Sequence, residues 1–147
     1  MLPIVGSVMR ALVQRVGRAA VSVAGERVAE IGSGLLVLLG VTASDTAGEV
    51  DWLAAKIRAL RVFSDAEGRM NEPLADREVL CVSQFTLYGD VRRGNRPSYA
   101  AVAAAELAEP LYERFCDRLG ARRGVFCAHM QVELVNDGPV TLLLESR

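Results

Sequence analysis

The chain has few of the side chains from which most metal and redox sites are built. Its 147 residues include three cysteines and one histidine. Cys81, Cys116 and Cys127 are odd in number and lack CxxC spacing, which argues against a disulfide framework and a zinc site and indicates a reducing, cytoplasmic location. The single histidine, His129, rules out the usual multi-histidine metal cages. We therefore expect neither a metal nor another cofactor.

An excess of charge and a long apolar run are also missing. The net charge is −1, so any contact with RNA would need a local patch of charge. The apolar run at 35–41 spans seven residues, which predicts a buried strand and not a membrane span. Residues 1–8 have no basic start and no cleavage motif, so they make a poor signal peptide. We interpret residues 1–8 as an extension before a single domain at 9–147, with a natural start at Met9.

What remains is an ordinary globular composition, with 51% apolar and 24% charged residues. A helix is predicted after an N-cap at Ser44 or Thr46 and ends near Arg61, because Val50, Leu53, Ile57 and Leu60 form one apolar stripe at helical spacing. A second helical region is predicted from Ser98 to about residue 119, in which Pro110 either kinks the helix or starts a new one. Strands are predicted at 10–16, 19–23, 27–31, 35–41, 78–87, 125–135 and 140–145. About two helices among these strands give an α/β or α+β class with a mixed sheet.

Polar side chains collect where one predicted central strand ends, at Ser83-Gln84-Phe85-Thr86. Polar groups at the carboxyl end of a core strand commonly face a site, but a strand that simply surfaces into its loop gives the same pattern. Within a strand, Ser83 and Phe85 point one way and the other two residues point the opposite way. Both sets serve one pocket only if the strand bends or ends there, or if backbone amides contribute.

A nucleophilic Ser83 or Thr86 would need an adjacent base, and the chain offers one histidine. His129 is predicted to share a strand face with Cys127, with Phe126 on the opposite face. Two interpretations follow: a Cys127–His129 thiolate dyad, or two neighbouring side chains on the outer face of a sheet. No third residue is visible that would orient the histidine, so a catalytic triad is hard to build.

A predicted loop at 88–97 carries three arginines within five residues, Arg92, Arg93 and Arg96. Such a group can bind phosphates. It also fits a solvated surface loop, because no aromatic side chains are interleaved with the arginines. Both interpretations stay open on these residues alone.

The last two predicted strands are separated by Asn136-Asp137-Gly138-Pro139. Asn, Asp and Gly supply an ordinary turn. Pro139 has no amide proton and Gly138 tolerates almost any backbone angle, so their bond is also a cheap place for a cis peptide. Most X-Pro bonds are trans, so these residues alone favour a trans turn.

The chain resembles the D-aminoacyl-tRNA deacylases, long known as D-tyrosyl-tRNA deacylases, in its two signature motifs: Ser83-Gln84-Phe85-Thr86-Leu87 and Asn136-Asp137-Gly138-Pro139-Val140-Thr141. Further matching stretches lie in the same order along the chain, at residues 14–16, 31–41, 63–68 and 96–98. Several motifs in the right order, from Met9 nearly to the end, make the resemblance highly specific. The resemblance therefore favours a cis Gly138-Pro139 bond over a trans turn. It also favours a functional site at residues 83–86 over a strand that merely reaches the surface.

The resemblance implies a deacylase-type fold, with a barrel-like mixed sheet, about two helices packed on one side, and a homodimer whose sites lie at the subunit interface. It implies that Gly138-Pro139 is cis and reaches into the pocket of the second subunit, where it faces the segment 83–86. Arg15 would help to hold this loop, and Phe126 and Met130 match pocket-lining positions. The chain departs from the family pattern at 99–105, Pro110, Cys127 and His129, so the last two carry no family role.

The implied reaction is hydrolysis of the ester between a D-amino acid, or glycine, and the terminal ribose of tRNA. Our hypothesis is that Gln84 and the backbone N–H groups of Phe85 and Thr86 stabilise the oxyanion, while the substrate 2′-OH helps to orient the water. Thr86 as a covalent nucleophile is the alternative. Main-chain atoms of Gly138-Pro139 would reject L-amino acids by steric clash. An inactive tRNA-binding or dimeric interaction module, and a Cys-dependent small-molecule hydrolase, are the other functions considered.

Overall fold

The computed structural model describes residues 8–146, so residues 1–7 of the expected extension lie outside the described residues. In the described part, strands and two α-helices form one mixed α/β unit, as predicted. Residues 85–88 add a short 3₁₀ turn. In chain order the elements are β1 (Arg10–Val23), β2 (Glu26–Ile31), β3 (Gly34–Gly40), α1 (Ala47–Ala59), β4 (Phe63–Ser64), β5 (Met70–Glu72), β6 (Glu78–Ser83), α2 (Ala105–Leu119), β7 (Arg122–Arg123) and β8 (Met130–Glu145).

The sheet is built around β1, a strand of 14 residues that joins two stretches predicted as separate strands. Its first half pairs antiparallel with β3 and its second half with β2, while β8 pairs with both halves on the other side. Parallel pairing of β6 with β3 and of β7 with β6 completes the order β2-β1-β3-β6-β7. Because β2 also contacts β6 and β7, the sheet is nearly closed and barrel-like.

The two faces of the sheet bury separate hydrophobic clusters. On β3, Leu35 and Val37 belong to a large cluster that includes side chains of α1 and α2. Leu36 points the other way, into a smaller cluster with Leu80 and Val82 of β6. Burial on both faces explains why β3 and β6 read as continuous apolar runs. Since both helices contribute to the large cluster alone, they lie on one side of the sheet, as predicted.

The first helix follows the local sequence signals closely. The N–H of Thr46 donates to Glu49 (2.7 Å), and the Thr46 hydroxyl accepts the N–H of Gly48 (3.3 Å). This capping box starts α1 at one of the two predicted caps. Leu53 and Ile57, on the predicted apolar stripe, are buried against the sheet.

The second helix starts later than predicted, because residues 98–104 are not helical. The N–H of Ala103 donates to the carbonyl of Val41 (3.1 Å), and Val102 forms a β-bridge with Thr42. Backbone groups of residues 102 and 103 therefore pair with the segment that follows β3, where a longer helix would have paired them internally. Pro110 lies inside α2, and the helix ends at Gly120, whose φ of 60° is left-handed.

Two strand predictions near the site were too long. β6 ends at Ser83, and the chain turns away where the strand was predicted to continue to 87. β8 begins at Met130, and the preceding residues form a turn in which Cys127 has a φ of 64°. The placement of Cys127 and His129 on one strand face was therefore wrong, and so was the strand face assigned to Phe126.

The apolar run Leu142-Leu143-Leu144 near the end of β8, which reads as a buried strand in the sequence, is partly exposed. Leu142 is 39% exposed and Leu143 is 54% exposed. In residues 8–146, β8 pairs with β1 along one edge and with no other strand, so its outer edge and these side chains are open. None of the helices in that range has the length and apolar character needed to cross a bilayer.

Candidate active site

The residues Ser83-Gln84-Phe85-Thr86, here called the pocket segment, follow the carboxyl end of β6 beside the end of β3. The N–H of Gln84 donates to the carbonyl of Leu39 (2.7 Å), which is the last hydrogen bond between these strands. The chain then leaves the sheet and enters the 3₁₀ turn. Phe85 and Thr86 begin that turn, so their N–H groups have no acceptor within it. The segment thus presents main-chain donors as well as an amide and two hydroxyls.

Tyr88 fixes the 3₁₀ turn to the sheet. Its buried hydroxyl lies 2.9 Å from the carbonyl oxygen of Gly40 and 2.5 Å from that of Val8. Burial raises the pKa of Tyr88, which keeps the hydroxyl a neutral donor. Arg10 donates to the carbonyl of Leu87 (2.9 Å), and its guanidinium lies 5.2 Å from the centre of the Tyr88 ring. The pocket segment is therefore held from its far end.

A cavity of about 360 Å³ opens beside the pocket segment. Ser83, Gln84 and Phe85 line it, and the predicted residues Phe126 and Met130 line it too. The other lining residues are mostly apolar: Leu39, Val41, Val82, Val102, Ala103, Ala105, Ala108, Cys127, Ala128, His129 and Val132. An apolar cavity with a few convergent polar groups is typical of a small-ligand site.

Neither route to an activated nucleophile is assembled around the cavity. Thr86 does not line it, and the Thr86 hydroxyl accepts a hydrogen bond from the side-chain amide of Gln84. Cys127 and His129 both line it, but no hydrogen bond joins them anywhere in the range 8–146. A hydroxyl or thiol nucleophile needs an adjacent base, and within residues 8–146 no hydrogen bond joins Ser83, Thr86 or Cys127 to His129. Over the same residues, no three His, Cys, Asp or Glu side chains are grouped to hold a metal ion.

Gly138 and Pro139 lie away from that cavity, in the middle of β8. Asn136 pairs with Val16 and Thr141 pairs with Gln14, so the four residues between them stand opposite the single residue Arg15. We call Asp137-Gly138-Pro139-Val140 the bulge. Because β8 continues along β1 on both sides of it, the expected turn between two strands was wrong. The Gly138-Pro139 bond is cis, as the resemblance implied.

The side chain of Arg15 binds main-chain atoms of the bulge. Its guanidinium donates to the carbonyl oxygens of Val62 (2.6 Å), Asp137 (3.1 Å) and Gly138 (3.2 Å). It also lies 3.2 Å from the Asp137 carboxylate. Asn136 adds a second tie, from its side-chain amide to the carbonyl of Arg15 (3.0 Å). Arg15 is 8% exposed, so a nearly buried charge depends on these acceptors.

Except for Thr86, which adjoins Gln84 but does not line the cavity, the predicted site residues fall into two groups within one chain. Five of them line the cavity: Ser83, Gln84, Phe85, Phe126 and Met130. Arg15, Gly138 and Pro139 form the other group, which is not in the cavity lining. Sequence reasoning missed Tyr88, whose hydroxyl meets a carbonyl 48 residues away in the chain. Its position directly after the first motif was the one available signal.

The chain is similar in sequence to proteins of one known family over nearly its whole length. Residues 12–145 match the family model described as D-Tyr-tRNA(Tyr) deacylase. The D-aminoacyl-tRNA deacylase of Symbiobacterium thermophilum is 56% identical over 146 residues, covering 95% of this chain and 97% of that relative. The protein of the same name from Myxococcus xanthus is 54% identical over 145 residues, covering 94% and 95%.

Solved structures share the fold. One, described as c-Myc DNA Unwinding Element Binding Protein, has a TM-score of 0.88 and 43% identity, covering 94% of this chain and 99% of that one. Another, described as a probable eukaryotic D-amino acid tRNA deacylase, has a TM-score of 0.82 at 16% identity, covering 95% and 100%, and shows the fold alone. From the matched residues and the identity of its relatives, the chain belongs to the D-Tyr-tRNA(Tyr) deacylase family.

Proposed function

We propose that this protein is a D-aminoacyl-tRNA deacylase, a hydrolase that cleaves the ester between a D-amino acid and the terminal ribose of tRNA. The observation that carries the proposal is the pocket segment, which lines a cavity at a strand end in a chain of this family. The cavity of about 360 Å³ suits one amino acid and part of a nucleoside. The substrate makes tRNA the partner of this site.

The chemistry rests on positioned donors. We infer that the side-chain amide of Gln84 and the N–H groups of Phe85 and Thr86 bind the oxygen that becomes negative when water attacks the ester. One such donor contributes about 2.7–4 kcal/mol to the stability of a transition state. With no base beside Thr86, the attacking water is oriented by the 2′-OH of the substrate itself. Covalent attack by Thr86 is the weaker alternative, because its hydroxyl has the Gln84 amide as its neighbour.

Chirality is proposed to come from the bulge. Gly138 and Pro139 are exposed, and Arg15 and Asn136 hold the main chain around them. Placed in a pocket, these backbone atoms occupy the space in which an L side chain would lie, while a D side chain points away. Glycine has no side chain to reject, so glycyl-tRNA is accepted as well. Because the barrier is made of backbone, changing a side chain within the bulge does not remove it, although losing the Arg15 side chain that holds the bulge would weaken it.

The bulge can meet a pocket segment only in a second copy of the chain, since it does not line the cavity of its own chain. We propose a homodimer formed along β8. Its free edge and the exposed side chains Val135 (47%), Leu142 (39%) and Leu143 (54%) lie on either side of the bulge along that strand. Sedimentation should give twice the monomer mass, and Leu143→Glu should yield monomers that lack deacylase activity. A monomeric wild type with full activity would rule out the shared site.

The decisive experiment compares esters of one amino acid on one tRNA. We expect rapid release of D-tyrosine from D-tyrosyl-tRNA, release of glycine from glycyl-tRNA, and no acceleration with L-tyrosyl-tRNA. Equal rates for the L- and D-esters would contradict the chiral barrier. Binding of tRNA without release of any amino acid would instead leave a tRNA-binding module.

Two variants separate the chemical routes. Thr86→Ala should keep near-normal turnover, whereas Gln84→Ala should lower kcat about 100-fold through loss of one donor. A loss of several orders of magnitude in Thr86→Ala would restore the covalent route. Treatment with iodoacetamide, with Cys127→Ala as its control, should leave hydrolysis intact and so remove the thiol route.

A further inference from the structure

An exposed pair of aromatic rings lies at the rim of the cavity. Phe85 and Tyr99 meet edge to face, with ring centres 5.2 Å apart at 68°. They are 54% and 37% exposed, although aromatic rings of this size are usually covered. Within residues 8–146 the Tyr99 hydroxyl has no hydrogen-bond partner, so no polar contact explains its position. Phe85 also lines the cavity, so the pair extends the site outward.

The position of Tyr99 is fixed by packing. A Cβ added at Gly89 would lie 3.2 Å from the Tyr99 ring and 3.7 Å from Pro97, so the ring rests on a residue without a side chain. Two backbone hydrogen bonds between Asp90 and Ser98 (2.8 and 3.0 Å) close the loop 91–97 just before Tyr99. The ring and the loop therefore form one ordered surface beside the pocket segment.

Of the three arginines in that loop, one is paired with a carboxylate, and the other two, Arg93 and Arg96, are not paired within the described residues. Arg92 is held by Asp90 through two contacts (2.9 and 2.7 Å), and this pairing lowers the pKa of Asp90 to about 2. Arg93 and Arg96 are exposed and, among the residues described, have no carboxylate within salt-bridge distance. The charge of the Asp90–Arg92 pair is internally balanced, whereas the other two charges face solvent.

We propose that Phe85, Tyr99, Arg93 and Arg96 form a binding surface for the unpaired nucleotides that precede the terminal adenosine of the tRNA. Aromatic faces stack with bases, and adjacent cations bind the backbone phosphates, in proteins that take single strands. Phe85 separates the cavity, which receives the ester, from the loop, so the nucleotides outside the cavity reach Tyr99 and the arginines. The inference rests on the proposed function, since it describes how that site receives its substrate.

The first test compares D-tyrosyl-tRNA with D-tyrosyl-adenosine, which lacks the preceding nucleotides. Tyr99→Ala should lower the ratio of kcat/KM for the tRNA to that for the adenosine ester by roughly fivefold to a hundredfold, mainly through KM. Tyr99→Phe keeps the ring and should keep the ratio. Trp52→Ala, which removes a similarly exposed ring (39%) from α1, is the matched control. An unchanged ratio in Tyr99→Ala overturns the proposal.

The second test measures salt dependence. The association constant for deacylated tRNA should fall as salt is added. In each of Arg93→Ala and Arg96→Ala, the slope of its logarithm against the logarithm of salt concentration should become shallower by about 0.7, the value for one phosphate of a single strand. Arg93→Lys retains the charge and should retain the slope. Slopes equal to that of the wild type in both alanine variants contradict phosphate binding by the loop.

A binding measurement separates this inference from the proposed function. The anisotropy of a labelled single-stranded RNA ending in CCA reports contact without hydrolysis. Should the wild type release no amino acid yet bind this RNA more tightly than Tyr99→Ala, the proposed function fails and the surface stands. Should it hydrolyse D-tyrosyl-tRNA while Tyr99→Ala binds the RNA equally well, the surface fails alone. Failure of the wild type to bind the RNA overturns the surface, and circular dichroism verifies that each variant is folded.

Discussion

The pocket segment and the bulge are both stretches of main chain that leave a sheet, but they leave it in different ways. The pocket segment departs at the end of two parallel strands and borders a cavity of about 360 Å³. The bulge departs in mid-strand, and its residues Gly138 and Pro139 are exposed. A neutral hydroxyl, that of Tyr88, helps to anchor the first, whereas the charged Arg15 guanidinium anchors the second through the carbonyls of Asp137 and Gly138.

The difference shows that a backbone segment bordering a cavity and one that bulges from a strand are held in shape by different contacts. Strand ends, helix α2 and the turn before β8 surround the cavity, so its shape is supported from several directions. The bulge has no such walls, and its shape depends on polar ties from β1 and from its own Asn136. We therefore expect losses at the bulge to be larger and more localised than equivalent losses at the pocket segment.

The largest effect is expected for Arg15→Ala. It leaves three carbonyl oxygens without their donor, so the free energy of unfolding should fall by about 3 kcal/mol. Urea denaturation measures this, and hydrolysis of both tyrosyl esters should show weakened discrimination between D and L. Arg18→Ala, at an exposed position of the same strand, should change stability by less than about 0.5 kcal/mol. Equal stabilities for the two variants would mean that Arg15 does not anchor the bulge.

Gly40→Ala tests the pocket segment by a steric route. The new Cβ would lie 2.6 Å from the Tyr88 ring and 3.3 Å from the carbonyl of Gln84, so the turn must shift. We expect a loss of about 1–3 kcal/mol in unfolding free energy and a lower kcat for D-tyrosyl-tRNA. Gly17→Ala has nothing within 4 Å of its Cβ and serves as the control. Full activity in Gly40→Ala would show that the segment tolerates displacement.

A smaller effect is expected for Tyr88→Phe, which keeps the ring and removes the buried hydroxyl. The carbonyl of Gly40 then loses its donor, and stability should fall by about 1 kcal/mol in a thermal or urea titration. Tyr99→Phe removes a hydroxyl without a hydrogen bond in the described chain and should leave stability unchanged. A Tyr88→Phe variant as stable as the wild type would show that packing on Gly40 alone holds the turn.

The smallest effect concerns Asp45, whose carboxylate contributes to the raised pKa of Tyr88. Burial raises the pKa of Asp45 above its ordinary value of 3.8, although the N–H of Thr42 donates to it (2.7 Å). A carboxyl with a raised folded-state pKa contributes stability that is complete below pH 3.8 and is lost as the pH rises through the folded-state pKa. Asp45→Asn should therefore raise the melting temperature at pH 7 by about 1–3 °C. The gain should vanish at pH 3, and an equal gain at both values would contradict a charge effect.

Elements with local signals were predictable from the sequence. The N-cap candidate Thr46 and the stripe containing Leu53 and Ile57 predicted α1, and the apolar run at 35–41 predicted β3. The start of α2 was not predictable, because Ala103 is held by a hydrogen bond to Val41 and not by its own helix. That choice depends on a tertiary contact that helix propensity does not describe.

The candidate site residues could be selected from two motifs, but their arrangement in space could not be predicted. The sequence of the second motif does not show that four residues stand opposite Arg15. Register depends on how β8 pairs with β1 and not on one strand alone. The turn before β8 was missed for a similar reason, since alternation at 125–135 resembles a strand until Cys127 adopts a left-handed φ. The sequence thus supplied the chemistry of each group and left their separation in space to the structure.

Strand β8 rejoins the same neighbour, β1, after its excursion at residues 137–140. Strand pairing between β8 and β1 is therefore present on both sides of the excursion. The fold does not dictate how many residues the excursion contains. Loop insertions or deletions between Asn136 and Thr141 would alter how far the tip extends while the hydrogen-bonded frame persists. If the bulge is the chiral barrier proposed above, its reach can change among proteins built on this scaffold without a change in the sheet.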